Sequence, residues 1–339
     1  MNLQWKDFLT RQGLADDGEG FGDLPGELVA ARDGTVVVPL LDQGLIRASG
    51  EDAADFLHNL MTNDVKNLAP DALRFAGFCA AKGRLLATFH IWRQGDDFLL
   101  AVAADIQTTI LKKLSMYVLR SKVKLSDADP DCVLLGLAGP AAADLVKAVA
   151  GGMPAPRQNL AFADGAALGL AQDRFLLAMT PAAAEAAWPA LSATAKPAGV
   201  AAWRWKEIET GQPRVVAATQ EAFVPQMVNM EVPEVAGVIF TKGCYPGQEV
   251  VARTQFLGKV KRRMYRAGLA EPLAAGTDVF TPEAGDQHCG ALVSVAPSPA
   301  GGYECLLVVQ SSGAEAGEVH VGSPAGPRLQ LLPLPYVVG

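Results

Sequence analysis

The sequence predicts an α+β protein: two similar strand, helix, hairpin and helix units, followed by a small antiparallel barrel or sandwich. Two observations carry this. Gly139-Pro140-Ala141-Ala142-Ala143-Asp144-Leu145-Val146 lines up with Gly50-Glu51-Asp52-Ala53-Ala54-Asp55-Phe56-Leu57, glycine on glycine and aspartate on aspartate. After Arg253 the pattern changes to short strands separated by Gly and Pro turns. The expected organisation is one α+β domain over residues 1–254, with pseudo-repeats over about 35–125 and 126–254, and a C-terminal β-domain over 255–339.

Residues up to Pro25 are rich in Gly and Asp, as in Asp16-Asp17-Gly18-Glu19-Gly20, and are expected to be loosely ordered. Thr35-Val36-Val37-Val38 and Leu45-Ile46-Arg47-Ala48 read as strands. Ala53, Phe56, Leu57, Leu60 and Met61 then recur at the spacing of one helix face, after the acidic start Glu51-Asp52. Three strands are expected over Leu73–Cys79, Arg84–Trp92 and Phe98–Val102, joined by the turns Ala81-Lys82-Gly83 and Gln94-Gly95-Asp96-Asp97. A helix from Asp105 to Val118 closes the first unit.

The second unit opens with the apolar strand Cys132–Leu137. Its hairpin is expected from Ala167–Ala171 and Phe175–Met179 around Gln172-Asp173-Arg174, and its closing helix over Pro181–Ala195, with proline at the start. Trp203–Thr210 suits another helix, stopped by Gly211-Gln212-Pro213. The late strands are expected over Met264–Leu269, Asp278–Thr281, Gly290–Val295, Glu304–Val309, Val319–Val321 and Leu329–Leu332.

Composition narrows the function. The chain has 339 residues, 50% hydrophobic and 19% charged, enough to bury substantial cores. Lys plus Arg total 29 against 36 for Asp plus Glu, a formal charge of -7, so the chain lacks the global basic field of a non-specific nucleic-acid binder. The run from Lys259 to Arg263 is the one dense basic cluster, and with Asp173-Arg174 it reads as surface. The five cysteines are too widely spaced for metal or redox pairs, and an odd number cannot all pair within the chain. Reduced thiols and a cytoplasmic location are expected, with no secretory signal and no membrane span. His58, His90, His288 and His320 show no metal spacing.

Chemistry concentrates in Lys242-Gly243-Cys244-Tyr245-Pro246-Gly247-Gln248-Glu249-Val250-Val251-Ala252-Arg253. Lys242 stands two positions before Cys244, where an ammonium can stabilise a thiolate. Gly243 and Gly247 permit backbone angles closed to other residues, and Pro246 fixes one more, so a tight loop is expected. A buried structural cysteine in a turn is the competing reading of these twelve residues.

That loop is similar to the signature of the YgfZ family, folate-binding proteins related to the aminomethyltransferase (T-protein) of glycine cleavage. Further matches are Ala81-Lys82-Gly83-Arg84, Ile208-Glu209 with Gly211 and Pro213, Phe223-Val224-Pro225-Gln226, Asn229, and the terminal Leu334-Pro335-Tyr336. The resemblance implies two interleaved T-protein-like folate-binding subdomains capped by a C-terminal β-barrel. It also implies that tetrahydrofolate or another folate derivative is bound by Trp203, Glu209, Tyr245, Gln248 and Lys82. An indole suits stacking on a pterin or aminobenzoyl ring, and a carboxylate can accept two hydrogen bonds from the pterin edge. On an ideal helix Trp203 and Glu209 lie roughly 120° apart, so they share a face only if Trp203 precedes the regular turns.

The implied role is assembly or repair of iron-sulfur enzymes, among them enzymes that modify tRNA. Cys244 and Lys242 are the functional pair, with Cys244 as a transient cluster ligand. A lone cysteine needs a partner protein for this, since four ligands are usual. Two departures stand out. Gln43 occupies a position that is often tryptophan in the family. Leu86 and Ala87 occupy the positions of an Asp pair that includes a catalytic aspartate in aminomethyltransferases, which counts against the alternative of a folate-dependent aminomethyltransferase or demethylase. A direct RNA-binding module, the third option, finds no interleaved basic and aromatic residues to support it.

Overall fold

The computed structural model describes residues 2–170, 173–258 and 260–338. The turn residue Gln172 and the basic Lys259 therefore lie outside the described residues. The chain divides into two compact units, one of Met1–Leu57, Val65–Arg74 and Phe89–Trp203, the other of His58–Asp64, Phe75–Thr88 and Arg204–Gly339.

The N-terminus is helical, contrary to the loose segment expected. Helix α1 (Leu3–Arg11) is capped by the Asn2 side chain, which accepts from the Trp5 N–H at 2.9 Å, and it buries Trp5 and Leu9. Those two are spaced i, i+4, and the Gly- and Asp-rich composition further on masked that stripe. Helix α2 (Leu24–Asp33) carries a fully buried carboxylate, Glu27, whose oxygens accept from the N–H groups of Phe21 and Gly199. Strands β1 (Val36–Pro39) and β2 (Gln43–Ser49) follow, then α3 (Ala53–His58). The helix is shorter than predicted: Met61 lies beyond it in an isolated bridge to Phe78.

Next come β3 (Leu73–Cys79), β4 (Leu85–Gln94), β5 (Asp97–Ala103), α4 (Ala104–Ser115), β6 (Lys124–Asp127) and β7 (Val133–Ala138). The second half of the first unit adds α5 (Ala142–Ala150), β8 (Asn159–Phe162), β9 (Gly165–Gly169), β10 (Arg174–Met179), α6 (Pro181–Thr194) and β11 (Lys196–Pro197). Helix α7 (Val200–Glu209) runs from the first unit into the second.

Among the described residues these strands form two sheets, ordered β11-β1-β7-β10-β9-β8 and β3-β4-β5-β2-β6. Strand β1 pairs antiparallel with β7, from the second sequence repeat, and not with its neighbour β2. The core of the first unit gathers Trp5, Leu9, Val37, Leu135, Leu137, Phe175 and Trp188. The two glycines aligned in the sequence repeat do the same work. Gly50 and Gly139 have φ of 116° and 113°, and each carbonyl accepts from a residue at the start of the following helix, Ala53 or Ala142, at 3.0 Å. A Cβ at either would fall within 2.2 Å of a backbone carbonyl oxygen, so only glycine turns these corners.

The second unit contains α8 (Gln248–Phe256), β12 (Arg262–Leu269), β13 (Asp278–Phe280), β14 (Gly290–Pro297), β15 (Tyr303–Gln310), α9 (Ser311–Ala316), β16 (His320–Val321) and β17 (Gln330–Leu332). Its late strands form an antiparallel sheet ordered β16-β13-β14-β15-β12-β17 among the described residues, curled into a half-barrel where the resemblance implied a β-barrel. One face buries Leu292, Cys305, Leu307 and Val309.

Four charged side chains are drawn in from solvent, among them Arg174 and Arg263, which the sequence reads as surface. Arg174 is 4% exposed, Glu207 is 6% exposed and lies 3.5 Å from Arg214, Lys206 is largely covered, and Arg263 pairs with Glu231. Arg174 is covered by Trp203 and Arg263 by Glu231, both distant in the chain, while Glu207 and Lys206 find nearer partners in Arg214 and Glu209; each contact offsets the desolvation of the charge. No helix among the described residues is long and apolar enough to cross a membrane.

Candidate functional site

The cysteine loop is built within the second unit. Its foundation is the segment His58–Asp64, whose polar side chains tie three stretches together. Thr62 Oγ1 donates to the Gly237 carbonyl at 2.6 Å and accepts from the Gly77 N–H at 2.7 Å, while the Thr62 carbonyl accepts from the Ile239 N–H. Asn63 Nδ2 donates to the carbonyls of Phe75 and Ala236. These two residues were missed in the sequence. The signal available was a pair of hydroxyl and amide side chains a few residues past the end of α3, in a stretch with no turn glycine.

On that base the loop presents Cys244 to solvent. The other four cysteines are buried, and burial pushes the thiols of Cys79, Cys132 and Cys305 up to about 12. The competing reading of Cys244 as an interior cysteine is thereby removed. Lys242 does not donate to the sulfur. Its Nζ donates to the carbonyls of His58 and Met61, at 2.5 and 2.8 Å, and lies 4.8 Å from the centre of the Tyr245 ring. Burial pulls its pKa down to about 8, opposed by the charges of Asp64 and Cys244. The sulfur thus feels the ammonium through space, while the hydrogen bonds of the ammonium fix the loop.

Tyr245 is 7% exposed, and burial raises its phenol well above the ordinary range. Its carbonyl accepts from the Gln248 N–H at 3.1 Å, where α8 begins. The two loop glycines differ. Gly247 has φ of 79° and its Cα is wedged against the β3–β4 turn, where a Cβ would meet Ala80 O and Gly83 N at 2.5 Å. Gly243 has an ordinary φ and nothing within 4 Å, so it carries no comparable constraint. The turn itself is closed by Gly83 N donating to Ala80 O at 2.8 Å, and it leaves Lys82 exposed.

The remaining motif residues brace this assembly. Gln226 is fully buried, with Nε2 donating to the Val251 carbonyl of α8 at 2.7 Å. Asn229, at φ of 55°, donates from Nδ2 to the Met264 carbonyl on β12. Tyr336 donates its hydroxyl to the Gly211 carbonyl at 2.8 Å, so two distant pieces of the motif set touch. Glu209 is half-buried and paired with Lys206 at 2.9 Å.

Trp203 belongs to the first unit and is the fourth residue of α7, so it does not precede the regular turns. It is 1% exposed, its six-membered ring packs on Gly136, and the Arg174 guanidinium lies 5.3 Å from the ring centre. Gln43 sits on β2 opposite Ala103. Leu86 and Ala87 are buried in β4, at 3% and 0% exposure. Among the described residues no group of three His, Cys, Asp or Glu could hold a metal ion.

Comparison with known proteins agrees with this architecture. The model of the GCVT N-terminal domain matches residues 23–188. The crystal structure of glycine cleavage system aminomethyltransferase T from Bartonella henselae superposes with a TM-score of 0.74 at 20% identity, covering 93% of this chain and 89% of that one. The fold is that of a T-protein. The tRNA-modifying protein YgfZ of Sodalis glossinidius (strain morsitans) is 31% identical over 310 residues, 89% of this chain and 93% of the relative. Its counterparts in Serratia proteamaculans (strain 568) and Vibrio vulnificus (strain YJ016) are 29% and 33% identical, covering 88% and 72% of this chain and 92% and 74% of theirs. The chain belongs to the YgfZ family.

Proposed function

We propose that this chain is a folate-binding factor that supports tRNA modification by assembling or repairing iron-sulfur enzymes, with Cys244 as its reactive group. The observation that carries the reading is the solvent-exposed thiol of Cys244 on a loop whose neighbours Lys242 and Gly247 are both pinned to other segments. Such a thiol can reach a partner protein while its own loop stays in place. The names of the curated relatives supply the connection to tRNA modification, and the T-protein fold is consistent with a folate ligand.

Two interleaved folate-binding subdomains over residues 1–254 and a barrel-type domain over 255–339 remain the proposed organisation. Tetrahydrofolate, when bound, would supply a carrier for one-carbon units. Lys82 offers it an accessible ammonium, Gln248 an amide and Glu209 a half-buried carboxylate, with the buried rings of Tyr245 and Trp203 behind them. Trp203 is already packed between protein groups, so its contribution would be to shape the site rather than to offer a free face. The aminomethyltransferase alternative lacks a carboxylate at Leu86 and Ala87, both enclosed in the β4 interior.

The test is complementation of a bacterium lacking its own YgfZ. Wild-type chain should restore thiolated tRNA, and Cys244→Ser should not, while both bind tetrahydrofolate equally by calorimetry. Full rescue by Cys244→Ser would remove the thiol from the mechanism. Turnover of an aminomethyl donor with tetrahydrofolate would favour the enzymatic alternative.

A further inference from the structure

A second concave site lies within the second unit, lined by none of the residues from Lys242 to Arg253. The C-terminal half-barrel has two faces, and the one opposite the Leu292, Leu307 and Val309 core borders a cleft of about 270 Å³. That volume is near the lower end for small-molecule sites, roughly 300 Å³. Ala291 on β14 is registered with Val308 on β15, and these two form one wall. Phe223 and Met227 form the other.

Two guanidinium groups line the same cleft. Arg84 Nη1 donates to the carbonyls of Glu221 and Ala222, at 3.1 and 2.6 Å, which fixes the plane of the group and leaves its other N–H groups without a partner among the described residues. Arg262, at the start of β12, has no carboxylate partner among the described residues. Asp278 and His288 also line the cleft, 3.5 Å from each other, and the Asp278 carboxylate is one negative charge set against the two guanidinium groups. A basic, apolar-walled cleft in a chain of formal charge -7 has the chemistry of an anion site.

The geometry points to a binding site for a compact organic anion, its oxyanion head held by Arg84 and Arg262 and its apolar body between Phe223 and Val308. Neither the family's folate role nor the Cys244 loop calls for this cleft.

The test titrates the full chain with benzoate, phenyl phosphate, inorganic phosphate and benzyl alcohol, followed by ligand-observed NMR. Saturable binding is expected for at least one of the two aryl anions. It should be at least tenfold tighter than for inorganic phosphate or benzyl alcohol, since only the aryl anions satisfy both halves of the site. Arg262→Gln should weaken that binding at least tenfold, and Ala291→Phe, which fills the wall without changing charge, should abolish it. If Ala291→Phe fails to fold, Arg262→Gln decides alone, because the Arg262 side chain has no ion-pair partner among the described residues. Absence of saturable binding by either aryl anion, or wild-type affinity in Arg262→Gln, overturns the proposal.

Discussion

Lys242 Nζ lies 2.8 Å from the carbonyl oxygen of Met61, a residue 181 positions earlier in the chain. With the second bond to His58, this makes the lysine a strut between the cysteine loop and the end of α3. Replacing it by methionine keeps the length of the side chain but leaves two carbonyls without their donor. The expected cost at neutral pH is about 1–3 kcal/mol, measured by urea unfolding. The pH dependence has a definite sign. Burial lowers the folded-state pKa from the ordinary lysine value of 10.5 to about 8, so between these values the unfolded chain binds more protons. The stability of wild type relative to Lys242→Met should therefore rise as pH goes from 8 towards 10.5, and the burden of the buried charge is fully present below 8. A difference that falls over this window would show that the ammonium is favoured by its site.

Exposure separates Cys244 from the other thiols. Under native conditions at neutral pH, iodoacetamide followed by peptide mass spectrometry should label Cys244 well before Cys79, Cys132, Cys289 or Cys305, all of which are buried. For three of these, burial also raises the thiol to about 12, which holds the nucleophilic thiolate to a trace. Cys244→Ser should alter unfolding free energy by no more than about 0.5 kcal/mol, the usual range for a surface position. Labelling of Cys79 at a comparable rate would mean that the loop opens.

The loop was legible in the sequence because its chemistry is local: glycine, proline and a cysteine flanked by a lysine. The partners of that lysine were not, because His58 and Met61 offer only main-chain carbonyls, which no residue type announces. The same limit hid the buried charges. Arg174 and Glu207 look solvated by residue type, and only the approach of Trp203 and Arg214 in space explains their burial. Most strands were legible, since β3, β4 and β5 are apolar runs between strong turn signals. Helix α8 was not, because its start at Gly247 read as the exit of a loop and its single buried residue, Val251, gives no apolar stripe.

Gly247 and Gly243 make a matched pair for testing what the signature needs. At Gly247 a Cβ would meet main-chain atoms of Ala80 and Gly83 at 2.5 Å, and φ of 79° is costly for any L side chain. Gly247→Ala should destabilise by roughly 2 kcal/mol or more and speed hydrogen exchange over the β3–β4 turn. Gly243→Ala has nothing within 4 Å and an ordinary φ, so its unfolding midpoint should match wild type. Equal effects at the two positions would contradict the wedge.

Trp203 can be read as a ligand contact or as a packing element, and Gly136 separates the two. A Cβ at Gly136 would come within 2.5 Å of Trp203 Cε3, against a rigid ring that cannot bend away. Gly136→Ala should cost about 1–3 kcal/mol through overpacking, and it should shift tryptophan emission as the indole is displaced. Trp203→Ala should cost roughly 3–5 kcal/mol, since it empties a site at 1% exposure and strips the Arg174 guanidinium of its aromatic cover. That loss would confound any binding measurement, so Trp203→Phe is the informative variant: it keeps an aromatic face over Gly136 at a smaller cost. If Trp203→Phe retains the wild-type melting temperature within a few degrees yet weakens tetrahydrofolate tenfold, the indole contributes to the ligand site. If affinity is unchanged while Gly136→Ala still destabilises, Trp203 serves the core of its own unit.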